Sequence, residues 1–417
     1  MAENIKWAYG ANQLKDKTAG EAIPRFLKED AVRTTRQFIE SFPQYNRTPL
    51  ISLEKLAAAL GVGGIYVKDE SYRFGLNSFK VLGGGHAIGR YLGERLELDE
   101  SELNYEKLQS NAVKEKLGQL TFTSATDGNH GRGVAWAAAQ LGHRAVINMP
   151  RGSSLVRLQH ITDTGAEGYI TEVNYDETVR LTAENARQHG WIMVQDTAWE
   201  GYEDIPNWVM QGYTVMAAEA LEQLKRLQVE RPTHLLMQAG VGSLAAAVTG
   251  YYASMLGSEM PITAVVEPQK ADCFYRSAAA GEGQAVNVTG DLDTIMAGLA
   301  CGEPNPVAWR VLWQLADLFI SCPDYIAANG MRILGNPLPG DEQVISGESG
   351  AVTAGILCKI LGSRGLEELK GELALNQSSH ILLFSTEGDT DPEMDRRIVW
   401  DGAYPGENIS DEAGEGN

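Results

Sequence analysis

Leu235-Leu236-Met237-Gln238-Ala239-Gly240-Val241-Gly242-Ser243-Leu244-Ala245 is an apolar run, a glycine-rich turn and the opening of a helix. A short apolar run that enters a helix through glycines is the repeating unit of parallel α/β folds. Backbone N–H groups of the turn, together with the helix N-terminus, form a cradle for an anion, and the glycines let that anion approach the main chain. The run admits more than one phosphate. Gly240-x-Gly242-x-x-Ala245 satisfies the dinucleotide fingerprint, and Glu267 ends the next strand where a ribose-binding acid belongs. Any other phosphate is served as well, and Glu267 reads equally as a solvated strand-end acid or the cap of the next turn.

Outward from this unit the alternation continues. Short apolar runs at 64–67, 120–123, 145–149, 168–171, 192–195, 262–266, 318–321 and 381–384 join 235–238 as strands. Helix-like segments lie between them at 131–141, 208–227, 244–256, 306–316 and 350–361. In such sheets ligands collect at the carboxyl ends of strands, which points to 124–130, 196–199, 239–244 and 385–390. The polar, charged stretch 94–115 marks a soft boundary between two domains. Two are expected in any case, because 417 residues exceed the size at which one core stops growing.

Composition narrows the function. A hydrophobic share of 43% with 22% charged residues is that of a water-soluble globular protein. The formal charge of −20 argues against nucleic acid, whose phosphates need a basic surface, and weakly favours cationic ligands. Cys273, Cys301, Cys322 and Cys358 form no CxxC pair and keep no metal spacing, so no metal site is expected. Reduced thiols in a cytoplasmic enzyme are the expectation, with a Cys273–Cys301 pair left open. No signal peptide and no membrane span are read. The acidic, glycine-rich tail 405–417 reads as disordered.

Four constellations carry chemistry. Lys80, in Leu76-Asn77-Ser78-Phe79-Lys80 ahead of Gly83-Gly84-Gly85, is a lysine in a small, partly apolar setting. A desolvated ammonium loses its proton more easily, and only the neutral amine attacks an aldehyde. An isolated lysine would otherwise read as solvated. Thr123-Ser124-Ala125-Thr126-Asp127-Gly128-Asn129-His130 packs hydroxyls and turn N–H groups that suit a substrate carboxylate. There Ser124 and Thr126 are substrate-binding candidates, Asn129 can donate to a phenolic oxygen, and Asp127 can act as acid or base. Asp127 or Asn129 as a plain helix cap is the competing reading. Asp196 ends a strand and suits a carboxylate facing a cleft, or an N-cap. Ser385-Thr386-Glu387-Gly388 offers a hydroxyl to a pyridine nitrogen, or an ordinary turn. Glu348, at a helix start, faces either a cofactor and substrate or the helix dipole.

Together Asn77-Ser78-Phe79-Lys80, the Gly240–Ser243 loop, the Gly128-Asn129-His130 turn and the terminal Ser/Thr turn resemble fold-type II pyridoxal-phosphate enzymes. More narrowly, the chain resembles the diaminopropionate ammonia-lyases through 67–80, 126–136, 194–202, 295–305, 345–351 and 385–390. The resemblance implies two mainly parallel twisted sheets flanked by helices, with the cofactor in the cleft between domains at 1–90 plus 213–404 and at 91–212. It implies a homodimer and conversion of 2,3-diaminopropionate to pyruvate and two ammonia. It assigns Lys80 the Schiff base and a proton-transfer role. It gives Gly240, Val241, Gly242 and Ser243 the phosphate, Asn129 the ring hydroxyl, and Ser385 with Thr386 the pyridine nitrogen. Relatives that dehydrate serine or threonine carry a small residue before Gly-Asn. The acid at Asp127 therefore marks a substrate with a β-ammonium, with Asp196 as a second carboxylate. A serine or threonine dehydratase of the same fold, and a nicotinamide-dependent dehydrogenase built on Gly240–Ala245, are the competing functions.

Overall fold

The computed structural model describes residues 5–11, 23–126 and 128–406. Asp127 and nearly all of the acidic tail, 407–417, lie outside the described residues. Among the described residues, eleven strands form two sheets. They are β1 (Lys6–Tyr9), β2 (Leu50–Ser52), β3 (Gly64–Asp69), β4 (Thr121–Ala125), β5 (Arg144–Met149), β6 (Glu167–Ile170), β7 (Ile192–Met193), β8 (His234–Gln238), β9 (Ile262–Pro268), β10 (Leu318–Cys322) and β11 (His380–Ser385). The larger sheet has the order β1-β10-β9-β8-β11-β3-β2 and the smaller the order β6-β5-β4-β7. Every neighbouring pair is parallel except β1 with β10 and β2 with β3.

Strands that read as unbroken apolar runs are covered on both faces, as parallel sheets require. In β8, Leu235 and Met237 enter one hydrophobic cluster while Leu236 enters the other. Leu382 and Phe384 of β11 likewise oppose Ile381 and Leu383. This is the two-residue period of a strand, and each fully buried leucine here contributes about 1.5–3 kcal/mol. The edge strands β1 and β2 escaped the sequence reading. At four and three residues they show no period of their own, and their pairing is set by the neighbour they close off.

The helices that matter for the site are α1 (Val81–Leu96), α2 (Asn129–Gln140), α3 (Leu155–Thr162), α4 (Asp204–Arg226), α5 (Ser243–Leu256), α6 (Cys273–Ala280) and α7 (Glu348–Gly362). The glycine run after Lys80 lies inside α1, where it lets other helices touch the backbone. A Cβ on Gly83 would stand 2.5 Å from the Tyr213 ring, and one on Gly133 of α2 would stand 2.7 Å from the Val81 nitrogen. Under the same region lies a sealed ionic cluster. Lys68 and Arg73 both donate to Glu219, at 2.6 and 2.9 Å, and Arg73 also pairs with Glu70 at 2.8 Å. All four are buried. The cluster ties β3, and the loop leading to Lys80, onto α4.

Candidate active site

Lys80 is placed by a loop-to-loop pairing. Phe74 and Asn77 take left-handed backbone angles, which turns the chain after β3. The turned segment then bonds to the loop after β11, Phe79 N donating to Thr386 O at 3.0 Å and Gly388 N to Asn77 O at 3.2 Å. Lys80 thereby stands at the start of α1, at the carboxyl end of the larger sheet. Its Nζ donates to Asp196 Oδ2 at 2.5 Å. Asp196 follows β7 of the smaller sheet, so the pair spans the cleft between sheets. Burial pushes the Asp196 carboxyl up, but the charges of Lys80 and His130 outweigh it and hold the group at about 2. His130 Nδ1 is 3.9 Å from Asp196 Oδ2, while its Nε2–H donates to Val194 O at 2.9 Å.

A cavity of about 710 Å³ opens above this pair, walled by Gly240, Val241, Gly242 and Ser243 on one side and Asn129 and Thr126 on another. Gly242 has φ +88, and a Cβ there would lie 2.2 Å from the Phe274 ring, so only glycine fits. Ser243 begins α5. Its hydroxyl donates to Asp196 O at 2.6 Å and accepts from Asn305 Nδ2 at 3.2 Å, which fastens the glycine loop to the carboxylate's own backbone. What this loop presents to an anion is backbone N–H at a helix start.

Asn129 is the first residue of α2, and its Nδ2 donates to Glu387. Thr126 Oγ1 accepts from Gly128 N and Gly131 N, at 2.9 and 3.1 Å, and shapes the turn. Ser124 is turned away from the cavity, donating to Gln195 Oε1 at 3.0 Å. Ser385, the last residue of β11, points to Ser346 Oγ at 2.9 Å, and it is Thr386 that reaches the cavity wall. Gln238 supports Thr386, donating to its Oγ1 at 3.0 Å. Glu348, at the start of α7, also lines the cavity. Burial first, then the charge of Glu387, raises its carboxyl to about 7, with Arg157 pulling back.

The dinucleotide reading of Gly240–Ala245 fails on Glu267. That carboxylate is sealed from solvent and accepts from Phe274 N and Tyr275 N, at 2.8 and 2.7 Å. Burial holds it up at about 8. It caps α6 and cannot reach a ribose. All four cysteines are free thiols, and no cluster of three or more metal-ligating side chains exists among the described residues. No described helix is long and apolar enough to cross a membrane.

A half-buried amine, a glycine loop at a helix start that leaves no room for a Cβ at Gly242, and the Thr386 hydroxyl on the same cavity wall fit a phosphate-bearing aldehyde with a ring nitrogen. The sequence profile of the pyridoxal-phosphate-dependent enzymes matches residues 42–370, and the chain belongs to that family. Within it, the chain groups with the diaminopropionate ammonia-lyases. It is 52% identical over 385 residues to the diaminopropionate ammonia-lyase of Escherichia coli K12, across 92% of this chain and 95% of that one. It is 48% identical over 403 residues to the enzyme of Salmonella typhimurium, across 96% and 99%. The crystal structure of the holo diaminopropionate ammonia-lyase from Escherichia coli superposes with a TM-score of 0.89 at 47% identity, covering 97% of this chain and 98% of that one.

Of the cavity residues not singled out by the sequence, three are ionisable groups beside the predicted ones. Glu387 sits inside a quoted turn, where an acid with no basic neighbour was the available signal. Arg157 and Tyr213 lie within helical runs and carry no local mark.

Proposed function

We propose that this chain eliminates both amino groups of D- and L-2,3-diaminopropionate, giving pyruvate and two ammonia with consumption of one water. The observation that supports this most is the Lys80–Asp196 pair at 2.5 Å, at the base of a glycine-walled cleft. Bound pyridoxal phosphate supplies an electron sink for charge left on the substrate α-carbon. The residues fitted to hold it are Lys80 for the aldehyde and the Gly240, Val241, Gly242 and Ser243 backbone for the phosphate. Asn129 suits the ring hydroxyl, and Thr386, with Ser385 behind it, the pyridine nitrogen.

In this reading Lys80 Nζ removes the α-proton from one face of the substrate, and Asp196 then steadies the resulting ammonium. Asp127 serves the opposite face and protonates the departing β-amine. Thr126 orders the turn that takes the substrate carboxylate, with Ser124 bracing it from behind. Glu387, and Glu348 in its ionised form, supply negative charge near a cationic substrate. We assign residues 1–90 with 213–404 to the large domain and 91–212 to the small one, and propose a cytoplasmic homodimer.

The test is the visible spectrum of the purified protein loaded with pyridoxal phosphate, followed by each enantiomer of diaminopropionate with pyruvate and ammonia measured. Pyruvate from both, lost in Lys80→Ala, is expected. Pyruvate from serine but from neither enantiomer of diaminopropionate would make the chain a dehydratase of the same fold.

A further inference from the structure

Tyr213 lies where α4 crosses α1. The two helices meet almost backbone to backbone, a Cβ on Gly212 falling 2.3 Å from Leu82 O. Lys80 and Gly83 are three residues apart and share a face of α1. The space a methyl would take on Gly83 is filled by the Tyr213 ring, 2.5 Å from Cε1 and 2.8 Å from Cζ. Phe79 packs on the same ring with centroids 4.6 Å apart. The ring is thus fixed by two glycines and a phenylalanine, all within four residues of Lys80 or of Tyr213 itself.

This placement puts the phenol on the wall of the cavity that holds Lys80 and Asp196. The residue is fully buried, and its hydroxyl has no hydrogen-bond partner among the described residues. Burial raises its pKa above the ordinary phenol value, with Lys80 drawing it down and Asp196 pushing it up, so the hydroxyl is neutral and senses both charges. A buried hydroxyl left unbonded costs folding stability, which a core phenylalanine would not. The roles assigned above make no use of it.

We propose that the Tyr213 hydroxyl is the hydrogen-bond partner of the Lys80 amine whenever that amine leaves Asp196, and so a positioning residue for the lysine. Lys80 must part from Asp196 to meet an aldehyde or an α-proton. A phenol answers both states of the amine. Its O–H donates to the lone pair of the neutral form, and its oxygen accepts from the ammonium. The second bond is charge-assisted and the stronger. The inference rests on the reading of Lys80 as the reactive amine, but not on which amino acid is consumed.

The variant is Tyr213→Phe, which keeps the ring. In cofactor-free Asp196→Asn protein, where the ammonium has no Asp196 carboxylate to return to, acetic-anhydride labelling of Lys80 is followed by peptide mass against pH with and without the Tyr213 change. The pH of half-labelling falls by about 0.5 unit or more, a roughly threefold shift in the ammonium-to-amine ratio. The cofactor-free variant melts at or above the parent temperature. Loaded with pyridoxal phosphate, it loses about tenfold or more in kcat with KM within about twofold. An unmoved half-labelling pH overturns the proposal whatever happens to turnover. So does a lowered melting temperature, which would place the hydroxyl in a bond that folds the chain. If the parent releases no pyruvate from diaminopropionate, the functional reading fails while the labelling result still decides Tyr213.

Discussion

Asp196→Asn removes one charge of the Lys80–Asp196 pair and almost nothing else, since both groups keep their size. The carboxyl is held at about 2 against an ordinary 3.8, with its side chain 7% exposed and that of Lys80 17% exposed. A depression of nearly two units corresponds to about 2 kcal/mol of folding stability. The sign follows from the direction. A depressed carboxyl stabilises the fold above its unfolded value of 3.8, and the contribution drains away as pH falls from there toward 2. Urea unfolding of the cofactor-free protein at pH 7 should therefore show Asp196→Asn less stable by about 2 kcal/mol. The gap should close as the pH approaches 2. Loaded with pyridoxal phosphate, the variant should also lose at least about a hundredfold in pyruvate formation, as expected when a group steadying the proton acceptor is removed. A variant as stable as the parent at pH 7, with the same acid dependence, would refute the assignment of the pair as the electrostatic centre of the cleft.

Further outcomes follow from the same geometry. Glu219→Gln strands Lys68 and Arg73 without their shared carboxylate inside the fold, and should cost about 3–5 kcal/mol in chemical denaturation. Glu348→Gln should do the reverse. A carboxyl raised to about 7 opposes folding above its unfolded value of 4.5, so the variant should melt higher than the parent at pH 8 and level with it near pH 4.5. Gly83→Ala places a methyl against Tyr213 and Val209 and should cost about 1–3 kcal/mol by thermal melting, with activity falling further than stability. Asp127→Asn should abolish turnover of one enantiomer of diaminopropionate and spare part of the other; equal, small losses on both would remove Asp127 from the proton chemistry.

The alternation of apolar runs and helical segments determined the α/β class, because strands buried on both faces need no partner information to read as continuous Val/Ile/Leu runs. Nine strands were legible, most of them for that reason, while β6 (Glu167–Ile170) lies at the edge of its sheet with no residue fully buried. The edge strands β1 and β2 were not, since three or four residues become a strand only when a neighbour offers its unpaired backbone. The site was legible wherever chemistry is local. A lysine before a small-residue helix and a glycine loop between strand and helix both declare themselves in a few residues. What only the tertiary structure decided is which neighbours across the fold each group meets. Ser124 and Ser385 carry the right hydroxyls, and it is the fold that sets them against Gln195 and Ser346. Glu267 stands at the spacing of a ribose acid, yet it is sealed under α6. Lys80 and Asp196 lie 116 residues apart, and their 2.5 Å contact exists only because two sheets face each other across one cavity. Residue type and spacing prescribe what a group can do. The packing of distant elements prescribes what it is given to do it with.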